Sequence, residues 1–141
     1  VAYDSLPDDV KERIDGATAE HSFLRALGHG KDKAEQARML DQYPPARHPI
    51  VRTHPETNKK SLFVNAAFVT HIVDMEKEES DELLYYLYKH ASVPEFQCRF
   101  RWRENSVAFW DNRAVQHYAN FDYQGQVRRA ERVTIVGDRP V

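Results

Sequence analysis

The chain is poor in the features that staple or anchor a protein. Its 141 residues include a single cysteine, Cys98, which excludes an internal disulfide and a cysteine-based zinc site and fits a reducing cytoplasm. No apolar run approaches the roughly 20 residues of a membrane span, and Val1 onward has neither the basic region nor the long apolar stretch of a signal peptide. A surplus of one charge is also lacking. With 20 Lys+Arg against 22 Asp+Glu, nothing points to nucleic acid. There is no internal repeat and no low-complexity tract. What is present is a 41% hydrophobic chain with 11% aromatic residues, enough to bury a core rather than stay disordered.

Local patterns divide the chain near residue 47. Ser5-Leu6-Pro7-Asp8-Asp9 reads as a helix start, with a capping serine, a proline in the first turn and acids where the helix dipole favours them. The pattern predicts one helix to about Leu27, stopped by Gly28-His29-Gly30, and a polar helix from Asp32 to about Tyr43, ended by Pro44-Pro45. Residues 1–47 thus read as a helical insertion or lid, its apolar faces too thin for a core. Beyond it, His48 to His54 and Ser61 to Val64 predict a hairpin around a polar turn. Glu76 to Ala91 predicts the best helix, with Leu83, Leu84, Leu87 and Tyr88 on its buried stripe.

After Pro94, strict alternation predicts a strand, with Phe96, Cys98, Phe100 and Trp102 facing one side. Cys98 reads as a small buried hydrophobe, and Trp102 and Trp110 as core aromatics. Further strands are expected at Ser106–Trp110 and Val127–Val136. The class implied is mostly β with appended helices, an antiparallel architecture for which a jelly-roll is favoured over a sandwich.

The segment from Trp110 to Asp138 carries the residues suited to chemistry. His117 stands eleven positions before Arg128, with Arg132 four further on. An imidazole can bind a metal, and guanidinium forks match carboxylate or sulfonate oxygens. On a strand the two arginines would share a face about 13 Å apart, at roughly 3.3 Å per residue, suited to two anions side by side. A capped core histidine with two surface arginines on an edge strand is the plainer alternative.

The flanks alter that balance. Trp110-Asp111-Asn112-Arg113, Gln116-His117-Tyr118-Ala119, Asp122-Tyr123 and Arg128-x-x-x-Arg132-x-Thr134 resemble, in order and spacing, the taurine dioxygenase family of iron(II)/2-oxoglutarate oxygenases. The resemblance extends through His48-Pro49-Ile50-Val51-Arg52-Thr53-His54-Pro55, Leu62-Phe63-Val64-Asn65 with Phe68, and Pro94-Glu95-Phe96-Gln97. It implies a double-stranded β-helix, a jelly-roll that is incomplete in this chain. It implies iron(II) as cofactor and 2-oxoglutarate as co-substrate. His117 then matches the distal histidine ligand, and Arg128 the arginine that binds the far carboxylate of 2-oxoglutarate. Arg132 matches the contact to the substrate's anionic head, and Phe68 an aromatic lining the substrate pocket. No side chain is assigned as a general acid or base.

The implied reaction hydroxylates a small organosulfur anion. Taurine would yield sulfite, with succinate and carbon dioxide as co-products; an alkyl sulfate ester would release sulfate by the same logic. The family's remaining ligands form an upstream His-x-Asp pair. Here only His54-Pro55-Glu56 has the His-x-carboxylate form, and it reads as a turn. The expectation is therefore the C-terminal portion of a longer cytoplasmic enzyme, a possible homo-oligomer with no nucleic-acid or membrane partner. A non-catalytic homologue that binds anions is the competing reading.

Overall fold

A computed structural model describes residues 1–137 and 140. Two antiparallel sheets and one long helix enclose the core. Strand β1 (Thr18–His21) lies between β2 (Ala46–Pro49) and β5 (Val69–Ile72), and β3 (Val51–Thr53) pairs with β4 (Lys60–Leu62) as a hairpin. The predicted His48–His54 strand is real but broken at Ile50. Its first part pairs with β1, Thr18 opposite Pro49, and its second with β4, Val51 opposite Leu62. Ile50 bridges the two sheets, donating its N–H to Ala17 O at 2.9 Å while its carbonyl accepts from Phe63 N at 2.7 Å.

The expected first helix is three elements. Helix α1 (Asp8–Ile14) ends where Asp15 turns extended and Gly16 takes φ +69°, a backbone state that suits a residue without Cβ. The chain then enters β1, and only afterwards α2 (Phe23–Leu27) forms, with the Ser22 side chain accepting from Leu24 N. Ser5 is not the cap; its hydroxyl bonds Val1 O and Ala2 O instead. Helical spacing of Val10, Ile14 and Leu24 concealed this break, because a strand inserted between two short helices preserves the apolar content. As a result the early segment does build core. Leu6, Val10, Ile14 and Ala19 are buried with Ile50, Val64, Val69 and Ile72.

Helix α3 (Lys33–Gln42) follows the expectation closely. Asp32 and Glu35 form a reciprocal capping box, and the helix buries no residue. Gly28 is held at the α2 end by close approach, since a Cβ there would stand 2.4 Å from Leu24 O.

Helix α4 (Lys77–Ala91) lays Leu83, Leu84 and Leu87 on the core as predicted. It is also tied to the sheet by a polar bond: Ile72 N donates to the fully buried Ser80 Oγ at 2.8 Å.

The C-terminal third differs most from expectation. Pro94–Phe96 is a single 3₁₀ turn, and no strand occurs in the described residues after it. The predicted strands at 96–102, Ser106–Trp110 and Val127–Val136 are irregular. Cys98 and Trp102 are exposed, Trp110 is 37% exposed, and Val133 is 94% exposed. Alternation marks which residues would face a core, but a strand forms only where a neighbour completes its hydrogen-bond ladder. No described segment pairs with these. The turns between them do form, at Glu104–Asn105 and around Gly125, with Asn105 at φ +60° and Gly125 at φ +81°. Asp138, the last residue of the motif segment, lies outside the described residues.

Ser80→Ala should leave the Ile72 N–H buried without an acceptor and cost about 1–3 kcal/mol. Denaturant unfolding of wild type and variant measures it.

Candidate active site

The segment from Trp110 to His117 is folded back on itself. Asp111 organises it. The Asp111 carbonyl accepts from Ala114 N and Val115 N, each at 3.1 Å, and its Oδ1 accepts from Arg113 N at 2.8 Å. The Arg113 guanidinium then grips the same carboxylate, Nε at 3.0 Å from each oxygen and Nη2 at 2.8 Å from Oδ2. Trp110 Nε1 donates to Asn112 Oδ1 at 2.8 Å, and the indole packs on the His117 ring with centroids 5.0 Å apart. His117 itself is exposed.

Two bonds pin this segment to the β3–β4 hairpin. Gln116 Nε2 donates to Val64 O at 2.7 Å. His54 Nε2 lies 3.0 Å from Asp111 Oδ2. His54 closes the hairpin: its N–H donates to Lys59 O at 2.9 Å, and its Nδ1 accepts from Glu56 N and Thr57 N, both at 3.2 Å. Because Nδ1 accepts, the ring proton sits on Nε2 and donates to Asp111. The Arg113 guanidinium and then the His54 ring hold the Asp111 carboxyl well below the usual carboxylate range.

His54-Pro55-Glu56 is held by contacts of its own. Both His54 ring nitrogens are engaged within the protein, and Glu56 faces Arg113 at 3.7 Å. The tripeptide forms the turn expected of it and anchors the hairpin to Asp111.

The other predicted residues stand as follows. Phe68 is fixed by backbone bonds: Asn65 Oδ1 accepts from Phe68 N at 2.9 Å, and Phe68 O accepts from Ser22 N at 2.8 Å. Its ring meets Phe23 edge-on at 5.5 Å, and Phe23 meets Tyr43 at 5.1 Å. Arg128 lies over the Tyr123 ring, 5.6 Å from its centroid, on exposed irregular chain, and Arg132 is exposed beyond it. The Gln116–Val64 bond thus joins the His117 segment to the Leu62–Asn65 motif that precedes Phe68. Arg128 and Arg132 lie beyond the pinned loop, Arg128 against Tyr123 and both exposed. Sequence reading did not bring His54, Asp111 and Arg113 together. All three stand inside motifs already quoted, but a bond spanning 57 positions leaves no periodic signal.

Comparison with known proteins agrees with these motifs. A model for the taurine catabolism dioxygenase TauD, TfdA family matches residues 1–134. The chain belongs to that family. An alpha-ketoglutarate-dependent sulfonate dioxygenase of Saccharomyces cerevisiae is 39% identical over 85% of this chain and 31% of its own length. An alpha-ketoglutarate-dependent sulfate ester dioxygenase of Pseudomonas putida is 34% identical over 99% of this chain and 48% of its own. The crystal structure of a taurine dioxygenase from Burkholderia xenovorans superposes with a TM-score of 0.65 at 37% identity, covering 80% of this chain and 35% of that one. The chain spans less than half the length of these curated relatives.

For this TauD/TfdA chain, the donor set decides how iron could be held. Among the described residues no group of three or more His, Cys, Asp or Glu side chains could hold a metal ion. The His117 imidazole has the right chemistry for one position of an iron(II) shell, so the described residues fit as contributors of one ligand and not as a complete site. No described helix is long and apolar enough to cross a membrane.

A second histidine group lies behind the hairpin. The His21 ring stacks on Phe63 at 5.5 Å and meets His48 edge-on at 5.0 Å, and Arg52 Cζ lies 5.5 Å from the Phe63 centroid. His21 Nε2 is buried with no hydrogen-bond partner among the described residues. Burial first, and then the neighbouring His48, lower the His21 pKa from 6.5 to about 4. Between those values the unfolded chain binds the proton that the folded one refuses. Stability should therefore be full above pH 6.5 and fall as pH drops toward 4. His21→Gln should flatten that slope in unfolding curves recorded across the window.

Proposed function

We propose that the protein containing this chain is an iron(II)- and 2-oxoglutarate-dependent dioxygenase that hydroxylates a small organosulfur anion. The supporting observation is the family match over residues 1–134, which includes His117, Arg128 and Arg132 in the order and spacing the resemblance requires. Bound iron would supply dioxygen activation coupled to decarboxylation of 2-oxoglutarate. One oxygen atom enters succinate and the other the substrate C–H bond, with loss of carbon dioxide. His117 supplies one of the metal's ligands; the rest come from outside the described residues.

The side chains of this chain bind and orient. Arg128 holds the far carboxylate of 2-oxoglutarate with a planar, permanently charged fork. Arg132 holds the substrate's sulfonate, so that one C–H bond is kept at reacting distance. Phe68 supplies an apolar wall, backed by Phe23 and Tyr43. That contact gives helices α2 and α3 the role of a cover over the substrate side. Hydroxylation beside sulfur produces an adduct that expels sulfite, and the single Cys98 is compatible with work in the cytoplasm.

A second reading is favoured by one observation. The Pseudomonas putida relative, a sulfate ester dioxygenase, aligns over 99% of this chain. Arg132 would grip a sulfate ester as well as a sulfonate, and hydroxylation of the carbon bearing the ester oxygen would release sulfate.

The experiment is a turnover series on the full-length protein. Succinate formation is followed with taurine and with several alkyl sulfates, and the released anion is identified as sulfite or sulfate. Stimulation by taurine with sulfite release is expected. Arg132→Ala should raise the substrate KM, and Arg128→Gln the 2-oxoglutarate KM, each roughly ten- to a hundredfold, the worth of a lost charged hydrogen bond. No stimulation by any organosulfur anion rejects the reading.

A further inference from the structure

We propose that His54, Asp111 and Arg113 form a positioning network that fixes the His117 imidazole in place by binding its loop to the β3–β4 hairpin. The inference rests on the reading of His117 as a metal ligand and deepens it.

The network stands out against its surroundings. Residues 97–109 and 118–137 have no helix or strand, so no backbone ladder locates His117. Side-chain bonds do so instead. Asp111 is the common partner: its backbone carbonyl shapes the turn, one carboxylate oxygen caps Arg113 N, and the other receives His54 Nε2 and Arg113 Nη2. At the other end of the loop, Gln116 is fastened to the backbone of the buried Val64. The rings of Trp110, one residue before Asp111, and His117, one residue after Gln116, meet and close the loop. The loop is thus closed on itself and held at two places, with His117 one residue past the second.

The fixed partner is itself rigid. The hairpin is paired from Val51–Leu62 to Thr53–Lys60, and His54 is buried directly after it. Its imidazole has two separate duties. Nδ1 caps the turn through Glu56 N and Thr57 N, and Nε2 reaches Asp111. A ligand to a metal must be held within about 0.5 Å of its productive position. A buried ring joined to a carboxylate that is itself clamped by a guanidinium meets that demand on irregular chain.

The two duties can be separated by substitution. Asparagine at position 54 places an acceptor where Nδ1 sits and keeps the turn cap, but cannot reach Asp111. Glutamine places an amide near Nε2 and keeps the reach, but loses the cap. In the full-length protein, anaerobic iron(II) titration and thermal melting are measured on wild type, His54→Asn, His54→Gln, Asp111→Ala, Asp111→Asn and, as a distant destabilised control, Ser80→Ala. His54→Asn is expected to melt within about 3 °C of wild type yet bind iron(II) roughly tenfold more weakly, the low end for outer partners of a metal ligand. His54→Gln should show the reverse, a lower melting point with tighter binding than His54→Asn. Asp111→Asn, which retains an acceptor for His54, should bind better than Asp111→Ala.

Wild-type affinity in both His54→Asn and Asp111→Ala overturns the proposal. So does affinity that simply follows the melting point across all variants, Ser80→Ala included, because the network would then be structural only. A wild-type protein that binds no iron(II) instead removes the ligand reading of His117, and the positioning role with it.

Discussion

The contact between the buried His54 ring and the Asp111 carboxylate is the interaction that ties the His117 segment to the core, because it joins two regions of very different order. On one side is a sheet and helix core, in which Ile50, Val69 and Leu87 are fully enclosed. On the other is a long irregular stretch that carries His117, Arg128 and Arg132. A hydrogen bond to a charged group is stronger than a neutral one, and here the carboxylate is already oriented by Arg113 before the imidazole reaches it. The hairpin therefore acts as a fixed reference for a loop that has no sheet of its own.

The legible parts of the sequence were those whose signals are local. Helix α3 could be read from its cap and its terminating prolines, α4 from four apolar positions at helical spacing, and the hairpin from a polar turn between extended runs. Strand β1 could not, because it occupies only four residues between helical segments and draws its stability from β2 and β5 on either side. Strand β5 carried no alternation to announce it. The segments at 96–102 and 127–136 were misread in the opposite sense. Their alternation is genuine, yet strand formation is a property of a pair, and pattern in one partner cannot reveal whether the other is at hand.

The same division holds for the site. His117, Arg128, Arg132 and Phe68 are candidates because motif spacing is written along the chain. The His54–Asp111 bond was not, since it depends on where the hairpin turn and the loop meet in space. His54 has the His-x-carboxylate form in the sequence, and in the structure both of its ring nitrogens have partners within the protein. Membership in the TauD/TfdA family gives these residues a common context, while the local bonds explain how one of them is held.

Val127, Val133 and Val136 are almost wholly open to water and Ile135 largely so, and they sit in a stretch of high β-propensity. Such a stretch is prone to stack against copies of itself. Arg128, Arg129 and Arg132 lie between Val127 and Val133, and charges flanking an apolar run are the kind that oppose such self-association. The guanidinium groups suited to holding small anions are thus also the ones that keep this stretch dispersed. Neutralising them would be felt in colloidal behaviour as well as in ligand capture.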